Sequence, residues 1–180
     1  MHGLLKNYRK FFNKEKIMQF LKIKKDKKTD RLTLEYQKKK KDDGLDEFSF
    51  SSFDKPLPEF DTALLALRKY VLEICEYPGT DDFLTRTTVT GVSFSYGGDN
   101  DVMGATLIAQ LALKECNAPL NLNTPHLAED FYSENGGSEK QLMPDNMAAD
   151  LEKLIAEAER YLYGERAQGE LFEQPKEKVA

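Results

Sequence analysis

The chain has 180 residues, of which 40% are hydrophobic and 32% are charged, and its formal net charge is −5 at pH 7. This length suits one domain with its own core plus tails, and no apolar run approaches the roughly 20 residues that a membrane-spanning helix needs. The first seventeen residues also lack the apolar block and cleavage site of a secretory signal, so we expect a cytoplasmic protein that does not bind membranes.

The charge is distributed unevenly along the chain. Residues 1–41 hold fifteen Lys or Arg against four acids, a net charge of +11, whereas residues 42–180 hold eleven against twenty-seven, a net charge of −16. Basic runs can neutralise phosphates and release counterions, which gives non-specific and salt-dependent binding to nucleic acids. The candidate nucleic-acid-binding residues are Lys22, Lys24, Lys25, Lys27, Lys28, Lys38, Lys39, Lys40 and Lys41.

Two other interpretations of these lysines stay open. They can form solvated faces, or they can pair with the acidic body, residues 42–180, of the same or another copy of the chain. Residues 1–17 read as an amphipathic segment, and Met18 could be an internal start that makes them dispensable. We divide the chain into a flexible basic arm (1–29), one domain (30–164) and a flexible tail (165–180).

The first half of the domain predicts a hairpin followed by a helix. Residues 31–36 and 47–51 alternate apolar and polar side chains around a charged loop, which is typical of two half-buried strands. Their predicted buried side carries Leu32, Leu34, Tyr36, Phe48 and Phe50. Pro58 and Glu59 then suit the first turn of a helix. Its apolar stripe would be Phe60, Leu64, Leu67, Val71 and Ile74.

The second half predicts another hairpin and another helix. Residues 83–96 and 102–113 read as strands joined by a Gly and Asp turn, with a bulge at Gly91. Thr124 and Pro125 suit the start of a short helical turn. A last helix begins near Asp145 and is closed by Gly164. The order predicts an α+β fold in which two β-hairpins form a small antiparallel sheet (β-β-α-β-β-α) with both helices on one face.

Residue types that support catalysis are sparse in this chain. Cys75 and Cys116 lack the C-x-x-C spacing and neighbouring His of a zinc site, and we expect reduced thiols in or near the core. Asp99 and Asp101 form D-x-D without the rest of a calcium loop, so we expect a turn there. His126 has no partner in the sequence pattern that would make it a general base. We therefore expect no metal, no cofactor and no enzymatic activity.

The tail contains the pattern Q-G-E-L-F from Gln168 to Phe172. It resembles the peptide, roughly Q-L-[S/D]-L-F, with which bacterial replication and repair proteins hold the sliding clamp, although Gly169 stands where Leu is preferred. The resemblance implies that Leu171 and Phe172 fill an apolar pocket while the Gln168 amide binds its rim. Alternatively, the apolar pair folds back onto the domain as a terminal staple.

Several longer motifs resemble small uncharacterised proteins of tailed phages and prophages. They are D-E-F-S-F-S-S-F-D-K-P-x-P-E-F from Asp46, V-x-G-V-S-F-S-Y-G-G from Val89, L-N-L-N-T-P-H from Leu120 and G-E-R-A-Q-G-x-L-F from Gly164. The resemblance spans most of residues 30–172 and implies a phage early region, close to replication and recombination functions. It brings no catalytic residues. We therefore expect a non-enzymatic partner of the bacterial sliding clamp, with a nucleic-acid-binding accessory protein as the alternative.

Overall fold

The computed structural model describes residues 18–40, 44–131 and 141–167, which form seven strands and four helices. The strands are β1 (Met18–Lys25), β2 (Leu32–Lys39), β3 (Leu45–Ser52), β4 (Thr87–Gly97), β5 (Val102–Leu111), β6 (Leu120–Asn123) and β7 (Leu127–Ala128). The helices are α1 (Pro58–Ala66), α2 (Arg68–Ile74), α3 (Asp81–Arg86) and α4 (Met147–Leu162). None of these helices has the length and apolarity that crossing a membrane requires.

The strands form one sheet in the order β3-β2-β1-β4-β5-β6, and β7 pairs with β5 beside β6. Each pairing between these strands is antiparallel. The expected α+β class is therefore confirmed, and so are the two hairpins, β2–β3 and β4–β5. The predicted bulge is confirmed as well, because the register between β4 and β5 shifts between Val89 and Gly91.

Strand β1 is the main difference from the expected fold. The sequence predicts that residues 18–25 belong to a flexible basic arm. In the structure they form a strand between β2 and β4, so this prediction is wrong for them. The cause is a bulge between Phe20 and Lys22, which turns Ile23 instead of Lys22 toward the core. The apolar residues are therefore not spaced by two, and the lysines between them conceal the strand pattern. Residues 1–17 lie outside the described part of the chain.

The core lies between one face of the sheet and helices α1, α2 and α4. The sheet contributes mainly Phe20, Ile23, Leu32, Leu34, Val92 and Leu107, and the helices contribute Phe60, Leu67, Val71, Leu151, Leu154 and Tyr161, all buried. The helices therefore cover the centre of the sheet better than its β3 edge. Phe48, expected on the buried side, is 42% exposed, while Tyr36 and Phe50 are half-buried.

The helices differ from the predicted ones in their boundaries. The predicted stripe from Phe60 to Ile74 is split at Leu67 into α1 and α2. The beginning of the predicted strand at residues 83–86 is the short helix α3 instead. In that helix, acids occupy the first turn and Arg86 occupies the last, as the helix dipole favours, and Arg86 pairs with Asp82. Both cysteines are free thiols, Cys75 half-buried and Cys116 exposed, so the expected core position is wrong for Cys116.

Thr124 has a role that differs from the predicted helix cap. Its backbone N–H donates to the Leu107 carbonyl at 3.0 Å, and its hydroxyl Oγ1 accepts from the Leu107 N–H at 2.9 Å. Thr124 is buried and continues the ladder of β6, and the strand β7 follows at Leu127 instead of a helical turn. A threonine hydroxyl can satisfy a strand donor as well as a helix N-terminus, and here the adjoining strand decides between them.

Helices α2 and α4 are fastened together by the buried carboxylate of Asp150. Its Oδ2 accepts from the Tyr70 hydroxyl at 2.8 Å and lies 3.2 Å from Lys69 Nζ, while its Oδ1 accepts from Lys153 Nζ at 2.8 Å. Burial alone would raise the pKa of Asp150, but these three partners outweigh it and lower the pKa to about 2. The carboxylate is therefore charged and fully paired at neutral pH.

Candidate functional site

The root of the C-terminal tail is attached to the domain. Arg166 pairs with the carboxylate of Asp54, and its guanidinium lies over the rings of Phe50 and Tyr161, 5.5 and 4.8 Å from their centroids. The N–H of Ala167 donates to the Lys55 carbonyl at 3.0 Å. The tail predicted to begin at residue 165 is therefore still part of the domain through residue 167.

The end of α4 explains how the chain reaches this attachment. Gly164 has φ of +95°, and its N–H donates to the Tyr161 carbonyl, while the Glu165 N–H donates to the Arg160 carbonyl. These two bonds form a Schellman motif, which needs a left-handed residue at the position of Gly164. Arg160 also pairs with Glu165 at 2.9 Å. The chain is thereby turned from the helix axis toward Asp54.

The predicted clamp-binding residues Gln168, Leu171 and Phe172 lie outside the described part of the chain. The Q-G-E-L-F peptide therefore begins one residue after Ala167, the last residue with a described contact to the domain. The two interpretations of Leu171 and Phe172, partner contact and staple, both stay predictions.

Half of the eight described candidate lysines have acidic partners within the domain. Lys22 lies 3.5 Å from Glu35, and Lys25 lies 2.6 Å from Asp61 on α1. Lys39 pairs with Asp101 and Lys40 pairs with Asp46. Pairing of the basic segment with the acidic body of the same chain is one of the open interpretations, and it holds for Lys25, Lys39 and Lys40. Lys22 instead pairs with an acid of the basic segment itself. Lys41 lies outside the described residues.

The remaining described lysines do not form one continuous surface. Lys24 lies on the face of the sheet opposite the helices, and Lys27 and Lys28 follow β1 in the turn to β2. Lys38 lies at the other end of β2, roughly 20 Å away by strand geometry. Its Nζ lies over the rings of Tyr36 and Phe48, 5.6 and 5.7 Å from their centroids. The remaining candidate lysines therefore lie in two separate places, near opposite ends of strand β2.

The aromatic residues near the lysines are not arranged as a stacking platform for bases. Phe20 is completely buried in the core, and Tyr36 is half-buried and stacked on Phe48 with centroids 5.2 Å apart. Tyr8, Phe11 and Phe12 lie outside the described residues. Single-stranded nucleic acids are usually held by exposed aromatic faces within a positive groove, and Phe48 is the described aromatic next to Lys38 with substantial exposure.

The sequence pattern did not reveal a Ser and His pair on the face opposite the helices. Ser95 Oγ lies 2.7 Å from His126 Nε2, and the two residues approach each other above Gly104 of β5. A Cβ at Gly104 would lie 2.2 Å from Nε2 and 2.6 Å from Oγ, so the close approach requires glycine there. The signal is weak in the sequence because the partners are 31 residues apart.

No described hydrogen bond orients the second ring nitrogen of His126, as a triad would require. The contact joins the segment before β7 to β4 of the sheet. Asp99 and Asp101 lie in the β4–β5 turn as expected, and the described residues contain no cluster of three or more His, Cys, Asp or Glu suited to a metal ion.

Comparison with known proteins adds no relative. No protein-family model matches the chain, and no curated protein or solved structure matches it.

Proposed function

We propose that this chain is a non-enzymatic interaction protein of phage type that binds the bacterial sliding clamp through Gln168, Leu171 and Phe172. In this role it acts in or against DNA replication and repair in the cytoplasm of a bacterial host. The observation that carries the proposal is the position of the Q-G-E-L-F peptide directly after the attached residue Ala167. The domain holds the root of the peptide, and the peptide supplies the contacts.

The attachment supports this division of roles. Because Arg166 and Ala167 bind Asp54 and Lys55, the residue before the peptide is held at one place, beside the beginning of α1. A peptide of this kind binds a groove in extended form, so it needs no fold of its own. Burying one Leu and one Phe contributes roughly 3–6 kcal/mol before the loss of chain entropy, which is consistent with a micromolar dissociation constant.

The test compares the full chain and four variants of it for binding to a purified bacterial sliding clamp by calorimetry. Truncation after Ala167 removes the peptide but retains the Arg166 contact with Asp54. We expect that truncation and the double replacement of Leu171 and Phe172 by Ala each abolish binding. Gly169→Leu should tighten binding, because it restores an apolar contact of the motif. A double replacement of Lys176 and Glu177 by Ala is the matched control and should bind as the parent does.

Two results would contradict the proposal. One is equal clamp affinity of the parent and of the variant that lacks the Leu171 and Phe172 side chains. The other is a Phe172 ring that is protected from solvent in the isolated protein and whose removal lowers the stability of the domain. The second result would support the staple.

The nucleic-acid alternative is disfavoured by the ion pairs of Lys22, Lys25, Lys39 and Lys40, because paired lysines release fewer counterions on binding. Any DNA binding should have a dissociation constant no tighter than roughly 10⁻⁶ M at physiological salt. It should disappear when the lysines between residues 22 and 28 and between 38 and 41 are neutralised together. Tight binding that does not change with salt would revive this alternative.

A further inference from the structure

Strand β3 is the longer of the two end strands of the described sheet. All eight residues of β3 pair with β2 on one side, and no described strand pairs with its other side. Every second residue of such a strand directs its N–H and C=O groups away from the sheet. These groups form a template on which another extended strand can pair.

The edge of β3 has few of the usual protections against pairing. The strand contains no Pro and no Lys, its only charges are Asp46 and Glu47, and its register with β2 runs without a bulge from Leu45 to Ser52. By contrast, β6 at the opposite edge has only four residues. Large apolar side chains are also exposed along β3: Leu45 by 54%, Phe48 by 42% and Phe53, which directly follows the strand, by 66%. Exposed apolar groups along such an edge mark an interaction surface.

We infer that β3 pairs antiparallel with β3 of a second copy of this chain, with Ser49 opposite the partner's Ser49. The sequence of the strand is self-complementary in this register. On the helix side of the sheet, Phe48 lies opposite the partner's Phe50. On the other side, Leu45 lies opposite the partner's Phe53, and Glu47 lies opposite the partner's Ser51. Each of the three exposed apolar residues obtains an apolar neighbour, and no two like charges face each other.

Neighbouring registers lose this complementarity. A shift by two residues in one direction places Glu47 opposite the partner's Phe53. The same shift in the other direction places Leu45 opposite the partner's Ser51 and leaves Phe53 without a strand residue of the partner. In a register shifted by one residue, side chains from the helix-covered face of one strand would lie opposite side chains from the uncovered face of the partner strand. The pairing about Ser49 is therefore the one that the side chains favour.

The test measures the dimer dissociation constant by analytical ultracentrifugation for the full chain and three lysine variants. Ser49→Lys places two like charges directly opposite each other and should weaken the dimer about fivefold at low salt. Ser51→Lys places a lysine opposite the partner's Glu47 twice and should tighten it about fivefold. Asn121→Lys, on the exposed opposite edge, is the control and should change nothing. Both effects should shrink in high salt.

Other outcomes would overturn the inference. A full chain that stays monomeric at high concentration excludes the pairing, and a dimer that ignores the changes at Ser49 and Ser51 has a different interface. In the shifted register that places Leu45 opposite the partner's Ser51, Ser49→Lys would face the partner's Glu47 and would tighten the dimer instead. If the full chain is monomeric and truncation after Ala167 makes it dimeric, the chain's own tail occupies the β3 edge. The measured dimer dissociation constant does not depend on whether the chain binds the sliding clamp.

Discussion

Strands β1 and β3 have the same length in the same sheet, but their surroundings are opposite. β1 contains three lysines and lies between two strands, with Phe20 and Ile23 completely buried. β3 contains no lysine and lies at the edge, where Phe48 and Leu45 are exposed. The more basic strand is therefore central, and the more apolar strand is peripheral.

In this sheet, the composition of a strand therefore does not determine whether the strand is central or at an edge. A central strand needs apolar side chains on the face that the helices cover and backbone groups that pair on both sides. The lysines of β1 meet these conditions because Lys22 and Lys24 lie on the opposite face, and Lys25, at the strand's end, reaches Asp61. β3 has suitable side chains but only one neighbouring strand. Its exposed Phe48 is a consequence of that position.

The largest expected effect compares one residue from each strand. Ile23→Ala removes a completely buried side chain and should lower the free energy of unfolding by about 3 kcal/mol, because it leaves a cavity in the core. Phe48→Ala should lower it by about 1 kcal/mol, since much of that ring is already exposed. Urea unfolding at low protein concentration measures both. Equal losses would mean that β3 is as deeply covered as β1.

A smaller effect is expected from the contact between β1 and β4 at Gly91. A Cβ there would lie 2.6 Å from the Ile23 carbonyl oxygen and 3.3 Å from Lys24 Cα, both backbone atoms. Gly91→Ala should therefore push the two strands apart and cost about 1–3 kcal/mol in thermal or urea unfolding. Gly79→Ala is the control, because its new methyl group would meet no atom within 4 Å. The control should change stability by less than about 1 kcal/mol, and in the stabilising direction.

Acid should weaken the connection between helices α2 and α4. The pKa of Asp150 is lowered to about 2 in the folded protein from an ordinary value of 3.8. Its contribution is therefore present above pH 4 and is lost as the pH falls through about 2. We expect the parent to lose about 1–2 kcal/mol between pH 5 and pH 2 through this residue. Urea unfolding across that range measures the loss.

The Asp150→Asn variant isolates this contribution. It should be less stable than the parent at pH 7, because an amide cannot pair with Lys69 and Lys153 as a carboxylate does. Its stability should then fall less steeply than that of the parent below pH 4. Parallel pH profiles for the two proteins would show that Asp150 does not connect the helices as described.

Much of the fold could be predicted from residue periodicity. Alternation at residues 31–36 and 47–51 and a stripe at helical spacing before Gly164 indicated elements that the structure contains. The strand β1 could not be found in this way, since the bulge before Lys22 interrupts its alternation. The Ser95 and His126 contact could not be found either, because it depends on the pairing of β4 with β5 above Gly104.

The candidate partner-binding residues also fall into two groups, those that the sequence alone can indicate and those whose interpretation needs the tertiary structure. The Q-G-E-L-F pattern is local, so the sequence alone was sufficient to nominate Gln168, Leu171 and Phe172, and no contact of the described residues tests them. The lysines are predicted to bind nucleic acids because basic residues are dense along this part of the chain. The tertiary structure changes this interpretation. Glu35, Asp46, Asp61 and Asp101 come from other elements and neutralise lysines that appear unpaired along the chain.

By itself, the sequence determined the α+β class, the two hairpins, the helix ended by Gly164 and the peptide that follows it, because each depends on neighbours within a few turns or strand residues. Only the tertiary structure decided that β1 is central, that β3 is an edge and that the tail is held to the domain as far as Ala167. These features depend on which distant segments pair their backbone groups and cover each other's apolar side chains. The spacing of residues within one segment contains no information about which distant segment it will pair with.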